Sequence, residues 1–236
     1  MKKRYGEYAH RGDYHLHPEQ DWPYLPVYLE KLRVARKFMN ALRPGQIIYD
    51  MGCGEGILVN EYRQAGYGIT GMDLNYSSKY IIQRDFLHSG IRTRSADAIL
   101  CLDVIEHLWF DDQERAIAEF ARILKPGAPA LITVPNLAHL ASRISFLLTG
   151  KLLRTSSIRR HPGDRPAAEF MELFEKNFVI RARKGMFPTF PLISVLTVLR
   201  PSSVIGLHRL YNRLLGYPNW CFLNVFFLEK RGSLNE

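Results

Sequence analysis

Asp50-Met51-Gly52-Cys53-Gly54-Glu55-Gly56 stands between the apolar run Gln46-Ile47-Ile48-Tyr49 and a helically spaced segment at 57–65. That change of period reads as strand, tight turn, helix. Glycines at such a turn let the backbone approach a ligand closely, and the helix behind them opens with free N–H groups. A dinucleotide-binding turn has the spacing GxGxxG, which would place its third glycine at position 57 if Gly52 is the first. Position 57 is Ile, and the glycines fall at 52, 54 and 56. Asp50, the acid that ends the strand, would face a pyrophosphate badly and suits a cation. The turn therefore favours a positively charged nucleoside over a nicotinamide dinucleotide.

Outward from this turn the chain alternates strands with helices. Residues 24–42 carry apolar side chains at helical spacing and stop at Pro44-Gly45. Ile69-Thr70-Gly71-Met72-Asp73 reads as a second strand and Ala98-Ile99-Leu100-Cys101-Leu102-Asp103 as a later one. A helix at 113–124 ends at Lys125-Pro126-Gly127, before a strand at 130–134. There follow a helix at 138–148, a basic loop at 151–165, a helix at 167–175, a strand at 178–183, an apolar insertion and a last strand at 221–228. Continuous apolar strands between helices argue a parallel α/β sheet covered on both faces, with ligands at the carboxyl ends of its strands. The 236 residues read as one domain, with a helical segment at 1–43, a core at 44–185 and 220–231, and the insertion at 186–219.

The turn DMGCGEG resembles the first motif of the class I S-adenosylmethionine-dependent methyltransferases. Asp73 matches the acid that in this family holds the ribose hydroxyls, and Asp85-Phe86 sits where the family places an acid and an apolar neighbour for adenine. LCLDVIEHL at 100–108, ILKPGA at 123–128 and LITVPN at 131–136 are similar to segments of its small-molecule branch. The ordered series covers 46–136. It implies a Rossmann-like, doubly wound sheet of seven strands in the order 3-2-1-4-5-7-6, with the last strand antiparallel. It implies S-adenosyl-L-methionine as cofactor, with Asp50 near the methionine ammonium and the backbone of Gly52, Cys53 and Gly54 alongside. Asp73 and Leu74 would then lie at the ribose, Asp85 and Phe86 at the adenine, and Leu102 and Asp103 at the end of the fourth strand. The basic stretch at 89–95 departs from the family's approach to strand four and leaves the third strand undefined. Turn glycines, a capping Asp73 and a surface Asp85 are the plain alternatives.

Methyl transfer from a sulfonium needs alignment and exclusion of water, and a base only where the acceptor is protonated. His107 and His139, just past strands four and five, are the candidate bases. Helix capping or packing is the alternative for His107, and a solvent-facing position for His139. Asp103, Glu106 and His107 would share one helix face and are similar to the Glu-x-x-Glu-His metal motif of some ubiquinone-pathway and small-RNA methyltransferases. Asp replaces the first Glu, and no metal is assigned.

Thirty-two Lys and Arg against twenty-three Asp and Glu leave a net charge of +9, which favours anionic partners. Cys53, Cys101 and Cys221 form no CxxC pair, so neither a disulfide framework nor a zinc site is indicated. With no apolar run near the N-terminus, the reading is a cytoplasmic protein, with membrane association left open. The base-stacking motif of exocyclic-amine methyltransferases is absent after strand four, which disfavours DNA, and no RNA-binding module is seen. Residues 186–216 are apolar, with only Arg200, Arg209 and Arg213 charged. They suit a lid over a greasy acceptor or a peripheral membrane contact; a packed subdomain or homodimer face is the other reading. The acceptor expected is a small molecule, a lipid-like compound or a glycan, methylated at oxygen; an RNA methyltransferase using the basic loop, or a catalytically silent cofactor-binding protein, is the alternative.

Overall fold

The structure is a computed structural model that describes residues 4–5, 8–154 and 156–232. Its strands are β1 (Ile47–Met51), β2 (Gly68–Asp73), β3 (Ile81–Gln83), β4 (Ala98–Leu102), β5 (Pro129–Pro135), β6 (Phe178–Pro188) and β7 (Cys221–Lys230). Its helices are α1 (Tyr8–Arg11), α2 (Leu25–Met39), α3 (Ile57–Gln64), α4 (Phe110–Ile123), α5 (Leu140–Thr149), α6 (Ala167–Glu175), α7 (Pro191–Leu199) and α8 (Ile205–Leu215). The strands form one sheet in the order β3-β2-β1-β4-β5-β7-β6. β7 pairs antiparallel with both β5 and β6, and the other pairings are parallel. This is the Rossmann-like order that the family resemblance implies.

The twofold repeat of a strand divides its side chains between two cores. In β4, Ile99 and Cys101 face the core roofed by Phe120 of α4 and by Phe170 and Phe174 of α6. Ala98 and Leu100 face the opposite core, built with Val27, Ala35 and Met39 of α2 and with Leu58 and Val59 of α3. Helices therefore cover both faces, and the central strands read as unbroken apolar runs because neither face meets water.

The elements differ from the sequence reading at particular places. β3 is only three residues long, and residues 74–80 cross from β2 to β3 without a helix. That is shorter than the dozen or more residues a parallel crossover ordinarily takes, which is why no strand-helix rhythm marks this edge. β6 runs on to Pro188 because it stays paired with β7 as far as Cys221, past a bulge between Ile180 and Ala182. The insertion thus begins as strand and becomes helical only at α7. α4 starts three residues earlier than its apolar spacing suggests, with Asp111 and Asp112 in a first turn that favours negative charge.

Candidate active site

The glycine turn is tied to the neighbouring strand by its backbone. Gly52 N–H and Cys53 N–H donate to the Met72 carbonyl at 2.7 and 3.3 Å. Gly52 and Gly54 have φ of +73° and +53°, a region that side chains with a Cβ rarely adopt. A Cβ on Gly54 would also lie 1.9 Å from the Tyr8 hydroxyl. Gly54 N–H donates to Asp73 Oδ2 at 2.9 Å and Asn75 N–H to Asp73 Oδ1 at 2.7 Å, so this carboxylate is held in place with a lone pair left on each oxygen.

Asp50, at the end of β1, is buried and lines the cleft beside Gly52, Cys53 and Leu102. Burial first, and then the nearby Asp73 carboxylate, push its carboxyl up to about 7. Among the described residues nothing hydrogen-bonds to this carboxyl. Two acids, one unpaired, beside backbone that a ligand can approach closely suit a ligand with positive charge and a diol, and the residues present fit S-adenosyl-L-methionine. Cys53 remains a neutral thiol, because burial raises it well above the usual range.

The other expected cofactor residues are not gathered as tightly. Leu74 stands exposed at the end of β2. Asp85 caps a short turn, accepting from Leu87 N–H at 2.9 Å, with its side chain 46% exposed. Phe86, expected beside the adenine, is turned into the core against Phe120, at 5.5 Å between ring centres, and leaves little ring surface for a ligand.

Past β4 the chain makes a single short turn at Ile105–His107, and Asp103 itself is left-handed at φ +56°. The expectation that Asp103, Glu106 and His107 share a helix face is thereby corrected. No group of three His, Cys, Asp or Glu side chains placed to hold a metal ion occurs among the described residues. Asp103 Oδ2 accepts instead from Tyr24 Oη and Lys31 Nζ, both at 2.6 Å, and Oδ1 accepts from the Thr133 hydroxyl. Burial alone would raise this carboxyl, but Lys31 and the two hydroxyls outweigh burial and hold it below the usual range. Glu106 is buried, and burial together with Asp103 raises its carboxyl well above the usual range.

The two histidines differ in burial and in partners. His107 Nδ1 lies 2.9 Å from the Arg160 carbonyl, which can only accept, so Nδ1 carries a proton. His139 caps α5, its Nδ1 lying 3.3 Å from Ser142 N–H and 3.0 Å from the Thr189 hydroxyl. Burial lowers the His139 imidazole to about 4, keeping it neutral. It is buried, not solvent-facing.

The N-terminal segment supplies cleft residues the sequence reading did not single out: Tyr8, His15, Tyr28 and Lys31. Glu55 accepts backbone N–H groups of Tyr14, His15 and Leu16 at 3.1, 2.7 and 3.2 Å, anchoring this segment over the glycine turn. Tyr24, Tyr28 and Lys31 fall on one face of the leading helix, and that polar-tipped stripe among apolar positions was the available signal.

Residues 27–179, well over half of the chain, match a family described as a methyltransferase domain. A ubiquinone biosynthesis O-methyltransferase of Hahella chejuensis is 28% identical over 111 residues, 41% of this chain and 46% of that protein. The chain thus matches less than half the length of this curated relative. A SAM-dependent methyltransferase from Archaeoglobus fulgidus superposes with a TM-score of 0.57 at 16% identity, covering 86% of this chain and 93% of that one. Magnesium protoporphyrin IX methyltransferase from Synechocystis PCC 6803, with bound SAH, gives 0.56 at 17% identity over 88% of this chain and 84% of its own. With this sheet order and acidic glycine turn, the chain belongs to the class I methyltransferase family, whose cofactor is S-adenosyl-L-methionine.

Proposed function

We propose that the chain methylates a hydroxyl oxygen of a small, lipid-like or lipid-linked acceptor, in the assembly of a lipid, a quinone or a cell-surface glycan. The observation that carries this reading is the place of His107, in the short turn just past β4 with Nδ1 2.9 Å from the Arg160 carbonyl, where an imidazole would take up the proton of a hydroxyl acceptor. His139, buried and neutral, would serve as a packing residue. The name of the Hahella relative, an O-methyltransferase of ubiquinone biosynthesis, supports oxygen as the methylated atom and a greasy acceptor.

When bound, S-adenosyl-L-methionine supplies a methyl on a sulfonium and leaves as a neutral thioether. In this reading Asp50 balances its positive charge, Asp73 takes the ribose hydroxyls, and the Gly52–Gly54 backbone lies alongside. Asp103, fixed by Lys31, Tyr24 and Thr133, keeps the end of β4 in place, and His107 takes up the acceptor's proton. Leu153 and Phe222, which line a small hollow past β5 with Pro135 and His139, form an apolar wall on the acceptor side.

Incubating the purified chain with isotopically labelled methyl donor and separated lipid, small-molecule and RNA extracts tests this. Label in a lipid or small-molecule product that resists mild base, as an ether does, is the expected result. Label only in RNA, falling steeply with salt, would contradict it.

A further inference from the structure

Three helices of this chain bury uncharged polar side chains and turn apolar ones outward. In α8, His208 and Asn212 are 1% and 4% exposed, whereas Leu207, Leu210 and Leu214 are 43%, 52% and 68% exposed. The inversion has a cause: Asn212 Oδ1 accepts Phe187 N–H at 2.7 Å, and its amide nitrogen lies 3.1 Å from His208 Nδ1. α7 likewise buries Thr197 and exposes Leu192, Val195 and Leu199. α5 buries Ser142 and exposes Phe146, Leu147 and Leu148. A helix whose outer face meets water carries the reverse pattern, and so much clustered apolar surface marks a contact site.

The three helices leave one corner of the fold. The Thr189 hydroxyl accepts Ala141 N–H of α5 at 3.0 Å, and the Trp220 carbonyl takes a hydrogen bond from Thr189 Oγ1 at 3.1 Å and from Leu140 N–H at 3.3 Å. α5 follows β5, while α7 and α8 join the end of β6 to the start of β7. All three therefore lie at the end of the sheet where the cofactor cleft opens.

Charge selects the occupant. Residues 138–163 contain five Lys or Arg and no acid, and residues 186–220 contain three Arg and no acid. A twofold contact with a second copy would set this positive face against itself. An anionic bilayer answers both features, taking up the leucines while its headgroups meet the arginines. Arg209 and Arg213 stand exposed among the α8 leucines, and Tyr217 and Trp220 are exposed beside them, as residues at a membrane interface are. No helix among the described residues is long and apolar enough to cross a membrane.

We propose that α5, α7 and α8 form one face that docks on an anionic lipid bilayer and holds the cofactor cleft at its surface. The purpose of docking rests on the lipid-like reading of the acceptor; the surface itself rests on the side chains.

Flotation of the full chain with vesicles of phosphatidylcholine, with and without phosphatidylglycerol, tests the proposal. The chain should float with the anionic vesicles, about tenfold better than with the neutral ones, and be released by salt. The triple variant Leu147→Glu, Leu199→Glu and Leu214→Glu should lose that binding while keeping its circular dichroism and its calorimetric affinity for S-adenosylhomocysteine. Arg209→Gln with Arg213→Gln should weaken binding to the anionic vesicles alone. Failure of the wild type to float at low salt, or unchanged binding by the triple variant, overturns the proposal. So does a dimer that the triple variant dissociates, formed by a wild type that binds no vesicle. Flotation without labelled lipid product sinks the acceptor reading and leaves the docking face standing.

Discussion

Above neutral pH the Asp50 carboxylate is charged in a wall only 4% exposed, next to a second acid. Its carboxyl is raised to about 7 by burial first and Asp73 second. The native chain therefore holds a proton there that the unfolded chain releases near the ordinary value of about 4. The linkage sign follows: this residue's contribution to stability falls as pH rises from about 4 through about 7. Asp50→Asn should raise the melting temperature of the ligand-free chain, by more at about pH 8 than at about pH 5, at roughly 2–4 °C per kcal/mol for a chain of this size. The same variant should bind S-adenosyl-L-methionine about tenfold more weakly, having lost the counter-charge, which is about 1.4 kcal/mol. A melting gain that does not grow with pH would show that Asp50 is not the buried acid described. At His107 the expectation is kinetic. His107→Ala should lower kcat by ~10² to 10⁴ with cofactor affinity unchanged, measured by rate assay on an acceptor found in the extract screen and by calorimetry. Asp50, Gly52 and Gly54 were legible in the sequence because spacing and charge act locally. The histidine contacts were not, since His107 meets Arg160 and His139 meets Thr189, each distant in sequence.

Among the elements, the N-terminal segment matters most to the cleft and was the least legible. Its residues 8–22 contain no long periodic run; they are held by aromatic contacts such as Tyr8 with Tyr76 and Tyr14 with Trp22, by the Glu55 carboxylate, and by a hydrogen bond from Tyr76 to Asp13. The cleft beside it is lined by Tyr8 and His15 of this segment together with Asp50 and Gly52. Charge-assisted hydrogen bonds of the Glu55 kind contribute about 1.5–3 kcal/mol each. Glu55→Ala should speed hydrogen exchange at the amides of Tyr14, His15 and Leu16 by at least about tenfold. It should also hasten cofactor release, followed by stopped-flow fluorescence. Unaltered exchange at those amides would mean that the segment is anchored elsewhere. The regular elements were legible to within a few residues, as α6 and β4 show. β3 escaped because three residues and a helix-less crossover leave no period to read, and the end of β6 escaped because only its pairing with β7 defines it.

In the whole molecule, the sheet places the acids on one side and the cationic surplus on another. The carboxyl ends of β1 and β2 carry Asp50 and Asp73, while the exposed helices beyond β5 and β6 carry basic and apolar side chains without acids. The acidic cleft and the basic, apolar corner are thus separate parts of one fold, an arrangement that a net charge alone does not reveal. The strand order followed from the family's motifs, whereas the inverted helices followed from nothing local: His208 and Asn212 look like an exposed polar stripe until their partner, Phe187, is in place.

The central claim is that the cleft between β1 and β2 grips a sulfonium nucleoside through carboxylates. Titration calorimetry of the purified chain with S-adenosylhomocysteine, alongside Asp73→Ala and alongside a nicotinamide dinucleotide, tests it most directly. The account predicts one-to-one binding by the wild type, at least about tenfold weaker binding by Asp73→Ala from the loss of hydrogen bonds worth ~1.5–3 kcal/mol, and no heat from the dinucleotide. A silent wild type, or tight binding of the dinucleotide in its place, would contradict it.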